Sequence, residues 1–309
     1  MTDAPAGTRV AIVAPTAAGK SEVAMAVATA VPSAEIVAVD SMQVYAGMDI
    51  GTAKPTAADR AAVVHHGLDL VDPSARFTLA DYLDATRPVM SGGTQPLVLV
   101  AGTGLYLNAL LDGLEPPGEW PDIRAELERR ADDDHLGALA RELADVDPTA
   151  ARRIEPGNRR RIVRALEVWL GSGRPFSSFG PGLDRYPTSD VALVGLRWDR
   201  SVLAERIARR VDQMIAAGLV DEVAALIELH GELSPTAGQA LGYKEIVEHL
   251  RGGTSLDDAV ERIVVRTRQF AVRQERWYRR DPRIRWIDVD GDPVAAAAPS
   301  VTQALIVAQ

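Results

Sequence analysis

Between residues 9 and 112, short apolar runs alternate with amphipathic stretches. The runs are VAIVAP (10–15), EIVAVD (35–40), LDLVD (68–72) and PLVLVAG (96–102). The intervening segments 19–30, 56–64 and 78–91 place apolar side chains at helical spacing. Strands that are apolar on both faces and joined by helices predict a parallel sheet covered on each side. Its crossovers are expected to be right-handed, and its ligands to bind at the carboxyl ends of the strands. After LEPPGEWPD (114–122) the strand pattern stops. Residues 122–170 read as charged helices, and GSGRPFSSFGPGLDRYP (171–187) as a loop. DVALVGLRWD (190–199) is again strand-like. Helices follow at about 200–217, 219–230, 243–251 and 255–280, and RIRWIDVD (283–290) predicts a last short strand. The expected fold is α/β, a P-loop-type parallel sheet flanked by helices with a mainly helical insertion domain. Residues 1–114 and 188–309 form the core in this reading, and 115–187 the insertion.

The first strand runs into Ala14-Pro15-Thr16-Ala17-Ala18-Gly19-Lys20-Ser21 and then a helix. This matches a phosphate-binding G-x-x-x-x-G-K-[ST] loop except at its first position, where Ala14 replaces a glycine that would tolerate positive φ. The free N–H groups at a helix start favour an anion, Lys20 neutralises it, and the Ser21 hydroxyl is a ligand for Mg²⁺. A nucleotide hydrolase would add an acidic residue at the end of a neighbouring strand. PLVLVAG instead runs into Thr103 and Gly104, and no Asn-Lys-x-Asp guanine reader occurs. The loop therefore reads as a diphosphate cradle serving something other than hydrolysis. Asp40 ends the second strand, which is expected to neighbour the first and so to face the same crevice. A carboxylate there can cap a turn, hold a metal through water, or take a proton from a nucleophile. The segment DSMQVY (40–45) adds amide and hydroxyl groups able to read a base edge.

Composition changes this picture in two ways. The 309 residues include no cysteine, which excludes disulfides, thiolate zinc sites and a cysteine nucleophile. MTDAPAGTRV has no leader pattern and no run approaches a membrane span, so a cytoplasmic protein, monomeric by default, is expected. The net charge of −9 argues against a polyanion partner, but the cations are clustered. Only Lys20, Lys54 and Lys244 are lysines among 34 basic residues, and arginines concentrate at 152–164 and 262–285. Arg262, Arg266, Gln269, Arg273, Arg276 and Arg280 fall on one helical face. Such a stripe is either a solvated surface or a grip on a phosphate backbone; taken alone it reads first as a solvated surface, although few acids lie near it in sequence to pair with it. Adjacent His65 and His66 point apart and suggest structure rather than a metal.

These segments occur together in one order: APTAAGKS, DSMQVYAGMDIGTAKP, HHGLDLVDP, AGTGLYLNALLDG, NRRRIVRALEVW, GLVDEV, QALGYKEI and TRQFAVRQERWYRRDPRI. In this the chain resembles the tRNA dimethylallyltransferases from about residue 9 to 287, with Ala14 the departure. The resemblance implies transfer of a dimethylallyl group from dimethylallyl diphosphate, with Mg²⁺, to the N6 amine of the adenosine 3′ of the anticodon. It implies Asp40 as general base and Thr103 as a contact to the adenine that bonds Asp40. Thr16, Ala17, Ala18, Gly19, Lys20 and Ser21 would contact the diphosphate, with Arg210 as clamp and Arg206 its alternative. Ser41, Met42, Gln43, Arg124, Arg160, Arg161, Arg164, Gln239, Arg266, Arg273 and Arg276, together with Asp40 and Thr103, would meet the anticodon stem-loop. An isopentenyltransferase acting on free AMP or ADP, a small-metabolite P-loop kinase and a non-catalytic RNA-binding module are the alternatives.

Overall fold

The computed structural model describes residues 9–93, 95–132, 136–180, 182–183 and 185–307. The leader reading of residues 1–8 and parts of the segments read as helix at 122–170 and loop at 171–187 lie outside the described residues. The chain divides into two compact units, Met1–Leu111 with Tyr186–Gln309, and Asp112–Arg185.

The first unit holds the strands β1 (Arg9–Val13), β2 (Glu35–Val39), β3 (His65–His66), β4 (Leu97–Ala101), β5 (Ala192–Trp198) and β6 (Ile284–Val289). Its helices in chain order are α1 (Lys20–Ala30), α2 (Ala57–Ala62), α3 (Leu79–Gly92) and α4 (Gly104–Asp112). The second unit supplies α5 (Pro121–Asp132), α6 (Leu136–Val146), α7 (Pro148–Arg153) and α8 (Arg159–Ser172). The first unit resumes with α9 (Arg200–Ala216), α10 (Leu219–His230), α11 (Tyr243–Leu250), α12 (Leu256–Tyr278) and α13 (Pro293–Val307).

The strands form one parallel sheet in the order β3-β2-β4-β1-β5-β6. Because side chains alternate along a strand, β1 feeds two cores. Val10 and Ile12 pack with Val23 and Val27 of α1 and Ala297, Val301 and Leu305 of α13. Ala11 and Val13 join the opposite core with Tyr82, Tyr243 and Ile263. This two-sided burial is why the strands read as unbroken apolar runs.

Three details depart from the sequence expectation. LDLVD is not a strand. Asp69 turns at φ +52° and the N–H groups of Leu70 and Val71 both donate to the Val44 carbonyl, which a ladder does not allow. The sheet edge is instead His65–His66, paired with Ile36 and Val37. Second, β4 lies between β1 and β2, so Asp40 does not end a neighbour of the first strand. Third, α13 follows the last strand with Pro293 at its start, where the missing N–H is harmless.

In the second unit, Leu127, Leu139, Leu143, Ile162 and Leu166 form the core. Glu167 is fully buried there and accepts from the Trp120 N–H (2.8 Å) and from Arg124 Nε (2.9 Å), with Arg164 Nη1 2.9 Å away. Arg164 also donates to the Pro117 carbonyl. Arg124 and Arg164, expected on tRNA, are thus engaged with a buried carboxylate. Arg160 and Arg161 are exposed.

Candidate functional site

The loop between β1 and α1 is built by side chains that hold its carbonyls. Arg206 Nε donates to the Ala17 carbonyl at 2.8 Å and its guanidinium lies over the Trp198 ring at 4.5 Å. Trp198 Nε1 donates to the Ala18 carbonyl at 3.0 Å. The left-handed turns fall at Ala17 (φ +62°) and Gly19 (φ +89°) rather than at Ala14, so the missing first glycine is not needed for a positive φ. Lys20 opens α1, and its Nζ donates to the carbonyls of Ala14 (3.0 Å) and Pro15 (2.9 Å). Burial, reinforced by the Arg210 charge and opposed by Asp40, lowers the Lys20 ammonium to about 7.

Asp40 reaches this loop across β4, and it can do so because of Gly102. A Cβ on Gly102 would stand 2.0 Å from Asp40 Oδ2. The other oxygen, Oδ1, accepts from the N–H groups of Met42 (2.8 Å) and Gln43 (3.4 Å). Burial pushes the Asp40 carboxyl above the usual carboxylate range, against the pull of those amides and of Lys20 and Arg210. Thr103, which the resemblance paired with Asp40, makes its hydrogen bonds to Ser41: Oγ1 accepts from the Ser41 N–H (3.0 Å) and donates to Ser41 Oγ (3.2 Å).

Two cavities meet at Asp40. The larger, about 1190 Å³, is lined by the whole 16–21 loop, Asp40, Gln43, Arg206, Arg209 and Arg210. The smaller, about 280 Å³, is lined by Asp40, Ser41, Met42, Thr103, Gln239 and Arg273 together with apolar Ile207, Val211, Leu219 and Ile263. Thr16, Asp40, Thr52, Arg210, Met214 and Phe270 belong to both. The Arg210 guanidinium has no hydrogen bond or ion pair to a described residue, and burial lowers its basicity. It lines both cavities. Gln239 is exposed and accepts from Lys244 Nζ at 3.3 Å.

The arginine stripe on α12 divides. Arg262 pairs with Glu248 (2.6 Å) and Arg266 with the buried Glu245 (2.5 Å), both on α11, so the expected shortage of acids does not hold there. Arg273 reaches the smaller cavity beside Phe270, and Arg276 is exposed. Arg266 and Arg276 line neither cavity.

Several side chains that shape the site were not singled out from sequence. Glu222 accepts from the N–H groups of Asp49 (3.0 Å), Ile50 (2.8 Å) and Gly51 (3.4 Å) and from the Tyr243 hydroxyl (2.5 Å). Lys54, buried, binds the Tyr45 carbonyl, Asp49 and Asp69. Together with Gln43, which donates to the Thr52 and Ala53 carbonyls, they set the loop that brings Thr52 to the cavity junction. Gln274 of α12 joins the 16–21 loop to the end of β4. The only signal for these residues was that they sit inside motif blocks, since the partners of Glu222 and Gln274 lie between 21 and 258 residues away.

Comparison with known proteins gives one answer. The family model described as IPP transferase matches residues 43–281. The tRNA dimethylallyltransferase of Desulforudis audaxviator is 45% identical over 295 residues, covering 93% of this chain and 94% of that protein. The one from Streptomyces coelicolor is 46% identical over 292 residues, covering 93% and 92%. Among solved structures, the full-length tRNA isopentenylpyrophosphate transferase of Bacillus halodurans is similar with a TM-score of 0.67 and 36% identity, over 97% of each chain. A eukaryotic dimethylallyltransferase acting on tRNA is similar with a TM-score of 0.68 and 25% identity, over 91% of this chain and 73% of that one. A family model matching residues 43–281 and relatives 45–46% identical over more than nine-tenths of its length place this chain in the IPP transferase family of tRNA dimethylallyltransferases.

Proposed function

We propose that the chain transfers a dimethylallyl group from dimethylallyl diphosphate to the N6 amine of the adenosine 3′-adjacent to the anticodon in tRNA, releasing diphosphate. The observation that carries this reading is that Asp40 lines both cavities. The larger holds the donor, with its diphosphate on residues 16–21, Arg206 and Arg210. The smaller admits a base that has left its stack, against Ser41, Met42, Thr103 and Arg273. An adenine amine is a weak nucleophile because its lone pair is delocalised into the ring. Asp40 takes its proton as the C–N bond forms and the allylic C–O bond to diphosphate breaks. Lys20 and Arg210 stabilise the negative charge collecting on the leaving group.

Among the described residues no cluster of three acidic or histidine side chains offers a metal cage. The exposed Ser21 hydroxyl in the first turn of α1, completed by substrate oxygens and water, is the kind of site Mg²⁺ accepts. Bound there, the ion would neutralise diphosphate charge. The helical unit contributes tRNA contacts through Arg160 and Arg161, and α12 through Arg273 and Arg276. No helix among the described residues is long and apolar enough to cross a membrane, and the reading includes a cytoplasmic monomer.

The discriminating assay offers labelled dimethylallyl diphosphate to unmodified tRNA and to AMP. Label on tRNA alone is expected; label on AMP alone would contradict the reading. Two further results follow from the geometry. Lys20 is largely neutral above about 7 in the free protein, and a bound diphosphate favours its ammonium form. Donor binding at about pH 8 is therefore expected to take up about one proton, and little at about pH 6. Calorimetry in buffers of different ionisation enthalpy reads this directly. Arg273→Ala is expected to flatten the salt dependence of tRNA binding by about one unit of slope. Arg266→Ala should act mainly on stability, because it strands the buried Glu245.

A further inference from the structure

We propose that Gln274 is a positioning residue that fixes the spacing between the donor cradle and the general base. The inference rests on the reaction assigned above. Strands β1 and β4 are paired up to Val13 and Ala101, and beyond that point each turns into its loop. The buried Gln274 side chain sits between the diverging loops. Its Oε1 accepts from the Thr16 N–H at 2.8 Å, and its Nε2 donates to the Gly102 carbonyl at 2.7 Å. The amide thus acts as one more peptide rung, accepting from the β1 side and donating to the β4 side.

Both ends of this rung are occupied by residues that matter. Thr16 begins the diphosphate loop and lines both cavities. Gly102 is the residue whose missing side chain makes room for Asp40. One turn further along α12, the Tyr278 hydroxyl donates to the Ala101 carbonyl at 3.0 Å. Consecutive carbonyls at the end of β4 are therefore held by one helix, and only the Gln274 contact extends to the donor loop. Small errors in donor-to-acceptor distance are expensive in a bond-forming step, so this rung should act on turnover more than on binding.

The position requires an acceptor at one atom and a donor at the next. Methionine has the length but neither function. An ionised glutamate keeps the acceptor and sets a second oxygen against the Gly102 carbonyl. A protonated glutamate restores the donor. Steady-state kinetics with tRNA and dimethylallyl diphosphate would compare wild type, Gln274→Met and Gln274→Glu. For Gln274→Met, kcat is expected to fall about tenfold or more, with both KM values within about threefold of wild type.

For Gln274→Glu, the ratio of its kcat to that of wild type should be lowest near about pH 8.5 and climb severalfold towards about pH 6, as the introduced acid regains its proton. Lys20, Asp40, Arg206, Arg209 and Arg210 share the cavity wall with residue 274 and titrate in all three proteins, so the profile of the uncharged Gln274→Met variant is the reference for their own titration, and the climb in Gln274→Glu is read as that of the introduced acid coupled to them. The methionine variant should show no such climb. Wild-type kcat in either variant near pH 8.5, or a flat ratio for Gln274→Glu, would overturn the inference. If Gln274→Met does not fold, the pH ratio alone decides. An active wild type with indifferent variants removes only the role of Gln274, whereas a wild type that transfers nothing removes the assigned reaction as well.

Discussion

Asp40→Asn is expected to reduce kcat about a thousandfold while tRNA binding is retained, because the amide keeps the shape of the carboxylate but cannot take the N6 proton. Single-turnover transfer with saturating donor separates the chemical step from binding. The same substitution should not destabilise the protein at neutral pH. Burial raises the Asp40 carboxyl, so the folded state holds the proton more tightly than the unfolded one. Stability is then highest at low pH and declines as pH rises from the ordinary carboxylate range through the raised value. Above that value the wild type carries the penalty of a desolvated charge and Asn does not. A thermal midpoint for Asp40→Asn at or above that of wild type near neutral pH, beside a collapsed kcat, is the signature of a site that trades stability for chemistry. Wild-type turnover in this variant would remove Asp40 as the base.

Gly102→Ala is expected to lower kcat about a hundredfold, through displacement of the base rather than its loss. The added Cβ would lie 2.0 Å from Asp40 Oδ2, and the backbone there needs no positive φ, so the clash is the whole effect. Asp40 must swing away from its place in the wall the two cavities share. A double-mutant cycle makes the test specific. In the Asp40→Asn background, Gly102→Ala should cost little further activity, since the base is already gone. Independent, multiplying losses would mean that Gly102 serves the site in some other way.

The distance between what the sequence revealed and what it concealed follows from how local each feature is. The strand, loop and helix that carry Lys20 were legible because apolar periodicity and the Gly-Lys-Ser junction are contiguous. Asp40 was also readable as a candidate, from its place at a strand end, but the reason it shares a cavity wall with the 16–21 loop was not. That reason lies in the strand order, which inserts β4 between β1 and β2 and places a glycine where the carboxylate must cross. The arginine stripe misled in part because its acids lie on another helix, 14 residues away for Arg262 and 21 for Arg266. Arg124 and Arg164 looked like surface cations because nothing nearby marks Glu167 as buried. Residues 68–72 looked like a strand from apolar content alone, whereas Lys54 and Arg60 claim the Asp69 side chain and bend the backbone there. Pro299 inside a run of alanines concealed α13, whose apolar face at Ala297, Val301 and Leu305 repeats every fourth residue.

The central claim is a single passage in which a cradled diphosphate donor meets an adenine amine beside Asp40. Mass spectrometry of nucleosides from tRNA lacking the modification, after incubation with the protein, dimethylallyl diphosphate and Mg²⁺, tests it most directly. One adenosine per acceptor tRNA is expected to gain a five-carbon unit on N6, with an equal amount of diphosphate released. Unchanged nucleosides beside an active control enzyme, or the five-carbon unit on any atom other than that amine, would contradict it.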